Sequence, residues 1–271
     1  MTQTIAFIGG GNMASAIIHG LRAGSGLLPQ LLVVEPFDAT RAKLLSDFGI
    51  TAMEHAGPAL AAADLVVWAV KPQSFKDAAA QAAPFTRSAL HLSVAAGIPS
   101  DSIARWLASE RVVRAMPNIP ALIGKGISGL FARAGVNARE RAMVEDVIRC
   151  TGDFLWISSE SQLDAGTALS GSGPAYVFYF LEAMTTAGVA MGLDAGQAHQ
   201  LAVATFVGAS ELARSSSEAP EVLRQRVTSK GGTTHAAISA MEDAGVKQSF
   251  ERAMLAARDR AQVMGQEFGA S

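Results

Sequence analysis

Short apolar runs alternate with helix-like segments along the first half of the chain. Five runs rich in Val, Ile and Leu have the length of strands that are covered on both faces, and they span residues 4–9, 31–35, 64–70, 89–94 and 111–116. Helix-like segments separate them at residues 11–23, 38–48, 73–83 and 100–107. This βαβαβ order predicts an α/β fold, a doubly wound parallel sheet with right-handed crossovers and helices on both faces.

The second half of the chain has a different pattern. Two more strand-like stretches, residues 126–132 and 154–157, flank a helix-like segment at residues 138–150. Only helical segments follow, at residues 163–169, 174–191, 194–214, 220–227, 233–243 and 247–267. The sequence therefore predicts a sheet domain over residues 1–158 and an all-α domain over residues 159–271.

Two of the helical segments, residues 174–191 and 194–214, are apolar around most of their circumference. A surface helix needs only one apolar stripe, and so small a domain cannot bury both segments by itself. We therefore expect a second copy of the chain to cover them in an interlocked homodimer. The first segment also has the length of a membrane span, but Glu182 lies in its middle and no basic flank follows, which favours a buried helix.

Composition excludes several classes of protein. The chain has 271 residues, of which 49% are hydrophobic and 17% charged, and this is enough apolar material for a sizeable core. A formal net charge of −2 disfavours a nucleic-acid partner. Cys150 is the only cysteine, so no intrachain disulfide or cysteine-based zinc site can form. With no signal-like N-terminus, we expect a cytoplasmic protein without a membrane partner.

A glycine-rich run follows the first predicted strand directly. It reads Ile8-Gly9-Gly10-Gly11-Asn12-Met13-Ala14 and matches G-x-G-x-x-A at the start of a predicted helix. Gly9 suits a tight turn, Gly11 allows a pyrophosphate to approach the backbone, and Ala14 allows close helix-on-strand packing. Glu35 ends the second strand, where an acidic side chain accepts the ribose hydroxyls of a dinucleotide. The sequence therefore predicts dinucleotide binding.

The same position bears on the choice between NADH and NADPH. A carboxylate at Glu35 repels a 2′-phosphate, which favours NADH. Arg41 lies just downstream and could receive a 2′-phosphate if Glu35 turned away, or it could be a solvated helix charge. Both cofactors therefore stay open.

Several other runs place small or polar residues where strands end or helices begin. Residues 69–73, 93–97 and 116–120 end predicted strands at the edge where ligands bind in open α/β sheets. Residues 169–176 and 227–234 are rich in Gly, Ser and Thr, and the second run can direct main-chain N–H groups at a small anion. Loop geometry, close packing or a capped helix start are the alternative readings.

The absence of metal-binding and nucleophile motifs narrows the range of reactions that the sequence could support. The five histidines show no metal-ligand spacing, and no G-x-S-x-G nucleophile run occurs, so no metal is expected. Hydride transfer needs little from side chains, because the cofactor brings the reactive atom and the protein supplies position and charge.

The strand-end and glycine-rich runs together resemble the pyrroline-5-carboxylate reductase family. The resemblance extends from residue 5 to about residue 257 and is most specific at residues 69–73, 114–120, 169–176 and 227–234. It implies a Rossmann-like domain, a helical domain for dimerisation and substrate binding, and a homodimer that is often assembled into a pentamer of dimers. The implied reaction is reduction of 1-pyrroline-5-carboxylate to L-proline with NADPH or NADH, the last step of proline biosynthesis.

The resemblance also implies site residues. The pyrophosphate would be held by Gly9, Gly11, Asn12, Met13 and Ala14. The nicotinamide would lie beside Ala69, Val70, Lys71, Pro72, Ala96 and Asn118. The substrate carboxylate would be bound by Ser229, Gly231, Gly232, Thr233 and Thr234 of another subunit. Glu160 would lie close to the ring, and Thr234 would be the proton source.

Two positions depart from the common family pattern, and two other functions stay open. Lys230 stands where many members have proline, and Glu35 stands where members that prefer NADPH often have a small or basic residue. A 3-hydroxy-acid dehydrogenase of similar architecture usually needs a lysine in its helical domain, and only Lys230 and Lys247 follow Lys125. A non-catalytic dinucleotide-binding regulator is the other alternative.

Overall fold

The structure is a computed structural model that describes residues 3–24 and 28–269. Its sheet has seven strands in the order β2-β1-β3-β4-β5-β6-β7. The strands are β1 (Thr4–Ile8), β2 (Gln30–Val34), β3 (Leu65–Trp68), β4 (Leu90–Ser93), β5 (Val112–Met116), β6 (Gly126–Ala132) and β7 (Gly152–Trp156). The seven predicted strands and the α/β class are confirmed.

Helices follow the strands as the periodicity predicts. The first five are α1 (Asn12–Ala23), α2 (Asp38–Phe48), α3 (Phe75–Ala82), α4 (Ser100–Leu107) and α5 (Ala138–Arg149). The later ones are α6 (Gln162–Gly166), α7 (Gly173–Ala190), α8 (Ala195–Ser215), α9 (Pro220–Arg226), α10 (Thr233–Asp243) and α11 (Val246–Gly269). A π-helical turn, Thr167–Gly171, connects α6 to α7 where the sequence predicts the end of one helix and a glycine-rich run.

Both faces of the sheet are buried. Along β1, Ile5 and Phe7 belong to one apolar cluster, while Ala6 and Ile8 belong to a second cluster on the opposite face. Each of these four residues is at most 3% exposed, as expected for a central strand of a sheet covered by helices. The predicted two-sided burial is confirmed.

One detail of the sheet differs from a fully parallel arrangement. Strands β1 to β5 are mutually parallel, but β6 pairs antiparallel with β5, and β7 pairs parallel with β6. The connection from Met116 to Gly126 holds only a short 3₁₀ turn, Ile119–Ile123. A parallel neighbour needs a crossover of a dozen or more residues, so the short connection makes β6 run in reverse.

The chain divides into two compact units. The first contains the residues up to Ser172 together with those from Ala257 onward, and the second is Gly173–Ala256. The last part of α11 therefore belongs to the first unit, because chain order alone does not determine where a helix packs. The functional division at residue 158 stays a prediction.

The second unit leaves most of its apolar side chains exposed. The residues of α7 and α8 that are buried are all small, Gly188, Ala198 and Ala202, and α7 packs so closely on α8 that a Cβ at Gly188 would lie 2.7 Å from Ala198 Cβ. Large apolar residues on the same helices, among them Phe178, Tyr179, Leu201 and Val207, are exposed. No helix in residues 3–24 and 28–269 is long and apolar enough to cross a membrane.

Candidate cofactor and substrate site

The glycine run after β1 forms a turn that requires glycine at Gly9 and is closely packed at Gly10. Gly9 has a φ of +96°, and a Cβ there would lie 2.6 Å from the carbonyl oxygen of Ala69. A Cβ at Gly10 would lie 2.5 Å from Leu44 Cδ1. The Gly9 N–H donates to Val34 O at 2.8 Å, which ties the turn to the end of β2.

The N-terminus of α1 is open on the side that an anion would approach. Its N-cap residue, Gly11, is exposed, has no side-chain cap, and would meet nothing within 4 Å if it carried a Cβ. The N–H groups of Asn12 and Met13 have no acceptor among the described residues, and the first turn contains no acidic residue. Free N–H groups and the positive end of the helix dipole suit a pyrophosphate, so these residues fit a dinucleotide.

Glu35 lies directly behind this turn and is only 5% exposed. Its Oε2 accepts from the Gly10 N–H at 2.8 Å, and its Oε1 accepts from the Phe37 N–H at 2.9 Å. Each carboxylate oxygen keeps a second acceptor position, so ribose hydroxyls can still donate to it. The ribose contact stays a prediction, and the structure adds that Glu35 orders the glycine turn.

The strand ends predicted to line the nicotinamide lie on neighbouring strands. Residues 69–72 follow β3 and Ala96 follows β4, and these two strands are adjacent and parallel in the sheet. Ala69, Val70, Pro72 and Ala96 are half-buried and Lys71 is exposed. Their contact with a nicotinamide stays a prediction.

Both polar atoms of the Asn118 side-chain amide form hydrogen bonds with main-chain atoms of the protein. Its Nδ2 donates to Ser170 O at 3.2 Å, and its Oδ1 accepts from the Ile127 N–H at 3.0 Å. The side chain therefore ties the end of β5 to β6 and to the π-helical turn. Gly171 in that turn packs against Met116, whose Cε would lie 2.5 Å from an added Cβ. A larger residue at position 171 would require the end of the Met116 side chain to move.

Glu160 belongs to a partly buried polar cluster whose partners the local sequence does not show. Its Oε1 accepts from Arg114 Nη1 at 2.6 Å and from the Ser100 N–H at 2.5 Å, and its Oε2 accepts from Ser100 Oγ at 2.5 Å. Burial raises the pKa of nearby Asp164, an effect that Arg114 opposes and Glu160 reinforces. Glu160 thus holds β5 and the start of α4 together, and its predicted contact with substrate stays a prediction. The signal for this cluster is a lone arginine inside the apolar run of β5.

The predicted carboxylate-binding run lies in the second unit, at the start of α10. Gly231 has a φ of +78°, which favours glycine, and Gly232 is the N-cap residue without a side-chain cap. Gly232 donates to Ser229 O at 3.0 Å, whereas the N–H groups of Thr233 and Thr234 have no acceptor in the part of the chain that the structure describes. This arrangement is able to bind a small anion.

The fold and these two glycine-rich sites define a class: a dinucleotide-binding oxidoreductase with a sheet unit and a helical unit. Residues 4–97 match a family model described as NADP oxidoreductase coenzyme F420-dependent, and residues 160–264 match one described as pyrroline-5-carboxylate reductase dimerisation. A pyrroline-5-carboxylate reductase of Pseudomonas aeruginosa is 43% identical over 270 residues, covering 99% of each chain. The chain belongs to the pyrroline-5-carboxylate reductase family.

Solved structures agree with this assignment. A pyrroline-5-carboxylate reductase from Coxiella burnetii has a TM-score of 0.89 at 35% identity, covering 97% of this chain and 99% of its own. A pyrroline carboxylate reductase from Plasmodium falciparum, solved with NADP bound, has a TM-score of 0.85 at 28% identity, covering 97% and 98%.

Proposed function

We propose that the protein reduces 1-pyrroline-5-carboxylate to L-proline with NADPH or NADH, the last step of proline biosynthesis. The observation that carries this proposal is the similarity over nearly the whole chain to reductases that bear this name. The open glycine turn of the first unit supports it independently, because free N–H groups at the start of α1 suit a pyrophosphate.

The first unit binds the cofactor and orients it. Main-chain N–H groups at residues 11–13 bind the pyrophosphate, and the small residues Ala69 and Ala96 leave room for a flat ring. When bound, the nicotinamide supplies the hydride that reduces the imine carbon. No side chain in this unit has to exchange a proton, which agrees with the lack of a histidine at the glycine turn.

The second unit of the partner subunit in the dimer supplies the groups that act on the substrate. The N–H groups of Thr233 and Thr234 bind the carboxylate, and the positive charge of Lys230, one residue before Gly231, favours an anion there. The Thr234 hydroxyl donates a hydrogen bond to the imine nitrogen, which makes the C=N carbon more electrophilic. Fixing a small ring by its carboxylate also removes much of the entropic cost of reaction.

The Thr234 hydroxyl provides the direct test of this mechanism. Thr234→Ala should lower kcat by on the order of 10- to 1,000-fold if the hydroxyl assists proton transfer. Thr234→Ser keeps the hydroxyl and should restore most of the rate, and steady-state oxidation of NADPH or NADH with the imine measures both. An unchanged kcat in Thr234→Ala would reduce Thr234 to a positioning role.

The same assay separates the other two functions. Turnover with 3-hydroxy acids instead of the imine would identify a hydroxy-acid dehydrogenase, and dinucleotide binding without turnover would identify a regulator. Activity with the imine alone selects the reductase.

We also infer a homodimer, with a cytoplasmic location and a pentamer of dimers as the larger assembly. The dimerisation model matched over residues 160–264 supports the dimer. The family resemblance supports the larger assembly, which sedimentation velocity of the full chain would test.

A further inference from the structure

We propose that the acidic residues around Arg41 make this protein favour NADH over NADPH, because they keep its guanidinium from receiving a 2′-phosphate. The inference rests on the proposed dinucleotide binding and concerns the end of β2, where the ribose of a dinucleotide lies in this fold. It depends on three observations, which are the fixed charge of Glu35, the engaged guanidinium of Arg41 and the excess of carboxylates.

Glu35 contributes a negative charge that no cation side chain neutralises. Its two oxygens accept main-chain N–H groups from Gly10 and Phe37, and no ion pair to it occurs in residues 3–24 and 28–269. Two main-chain bonds hold the side chain behind the glycine turn. The carboxylate therefore stays at the ribose end of the site, where it can accept hydroxyl donors and repels a phosphate.

Arg41 is a cation near the end of β2, and three of its five N–H donors already have acceptors. Its Nη1 donates to Glu35 O at 3.0 Å and to Pro36 O at 2.7 Å. Its Nη2 makes a hydrogen-bonded ion pair with Asp38 and lies 3.7 Å from Glu54 Oε2. Only 20% of the arginine side chain is exposed. To bind a 2′-phosphate, the guanidinium would have to break its ion pair with Asp38. The phosphate dianion would then lie close to the carboxylates of Asp38 and Glu54, which repel it.

The local charge balance is negative before any ligand arrives. Two carboxylates, on Asp38 and Glu54, lie beside the guanidinium of Arg41, and the carboxylate of Glu35 adds a third negative charge at the end of β2. The other cationic residue of α2, Lys43, pairs with Asp47 at 2.5 Å, and His55 lies beside Glu54 at 3.4 Å with most of its ring in solvent. A 2′-phosphate adds roughly two further negative charges. A ribose with free hydroxyls adds none and can donate to Glu35.

Affinity measurements on the full chain test this without reference to turnover. Isothermal titration calorimetry would give Kd values for NADH and NADPH, and 5′-AMP and 2′,5′-ADP would isolate the effect of the 2′-phosphate. We expect the wild-type protein to bind NADH more tightly than NADPH, by on the order of tenfold. Because these charges are near the surface, the ratio should shrink as salt rises.

Substitution of the acidic residues sharpens the test. Asp38 and Glu54 are exposed, so Asp38→Asn with Glu54→Gln should fold normally, release Arg41 and tighten NADPH binding on the order of tenfold with NADH unchanged. Asp47→Asn is the matched control, because it removes one ion-paired carboxylate from the same helix a few turns away. It should leave both Kd values and their ratio unchanged.

Each outcome decides the proposal. A wild-type protein that binds NADPH as tightly as NADH, or a double variant with an unchanged ratio, would overturn the preference and leave the reductase function standing. An equal shift in Asp47→Asn would assign the effect to overall charge and also overturn it. Failure to bind either dinucleotide would reject the proposed function together with this inference.

Discussion

His91 is a neutral histidine in the centre of the sheet. It lies on β4 between β3 and β5, is 1% exposed, and its Nδ1 accepts from Trp68 Nε1 at 3.2 Å. The proton therefore resides on Nε2, which is buried and has no partner in the described part of the chain. Burial, together with a smaller effect of the positive charge of Arg111, lowers the pKa of His91 from 6.5 to about 4.

This pKa predicts a loss of stability in mild acid. The unfolded chain takes up a proton on His91 near its ordinary pKa of 6.5, whereas the folded chain does so only near 4. The contribution to stability is therefore complete above 6.5 and is lost as the pH falls from 6.5 to 4. For this residue alone, the free energy of unfolding should fall by about 2 kcal/mol between pH 8 and pH 5.

Urea unfolding at a series of pH values would measure this loss. His91→Gln keeps an acceptor for Trp68 but does not titrate, so its stability should decline by about 2 kcal/mol less than wild type over the same range. Parallel curves for wild type and His91→Gln would show that His91 does not cause the loss.

At the scale of single residues, the sequence predicts which element a polar residue lies on, but it does not predict the hydrogen-bond partner of that residue. The motif spacing places Gly9, Gly11 and Glu35 at the end of β1, the start of α1 and the end of β2, as the structure has them. It does not show that Glu35 bonds to Gly10 or that Asn118 bonds to Ser170, because those partners lie 25 and 52 residues away. Such contacts depend on tertiary packing, which local pattern does not encode.

At the scale of elements, the ion pair of Glu160 and Arg114 joins three parts of the sheet unit. Arg114 lies on β5, Ser100 begins α4, and Glu160 precedes α6. The Arg114 side chain is 9% exposed and that of Glu160 is 26% exposed. Loss of the carboxylate would leave a buried guanidinium without its partner, which costs more than the loss of a surface pair.

We expect Glu160→Gln to lower the free energy of unfolding by about 2 kcal/mol. Arg114→Met should have a similar effect, and the double variant should cost clearly less than the sum, because neither charge is then left unpaired. Asp47→Asn, in an exposed pair, should cost at most about 0.5 kcal/mol. Additive effects in the double-variant cycle would contradict the coupling. A raised KM for the imine in Glu160→Gln would support the predicted substrate contact as well.

The sequence predicts helices and strands correctly where the hydrophobic pattern is long. It does not predict the direction in which a strand runs in the sheet. The five parallel strands and the long helices follow from periods of two and 3.6 residues and from short apolar runs. The reversal at β6 is set by the length of the connection after Met116, and the π-helical turn over Thr167–Gly171 has no signal in the local pattern. Neither is visible in hydrophobic periodicity.

At the scale of the whole molecule, the sequence indicates an assembly that one chain cannot display. Apolar positions around α7 and α8 predict a covering partner, and the dimerisation model matched over residues 160–264 agrees. Phe178 is 61% exposed and Val207 is 64% exposed in the single chain. Exposed apolar area of this kind marks an interaction surface, and stability then depends on protein concentration.

Charged substitutions on these two helices should therefore separate the subunits. Phe178→Asp and Val207→Asp each place a carboxylate on the apolar surface, and burying an unpaired charge costs several kcal/mol. Light scattering after size-exclusion chromatography should show a dimer or larger species for wild type and a monomer for the variants. Wild-type Tm should rise with protein concentration, whereas the Tm of the variants should not. Leu45→Asp, on the exposed side of α2, is the control and should keep the wild-type mass. Variants that retain it at micromolar concentration would show that α7 and α8 do not form the interface.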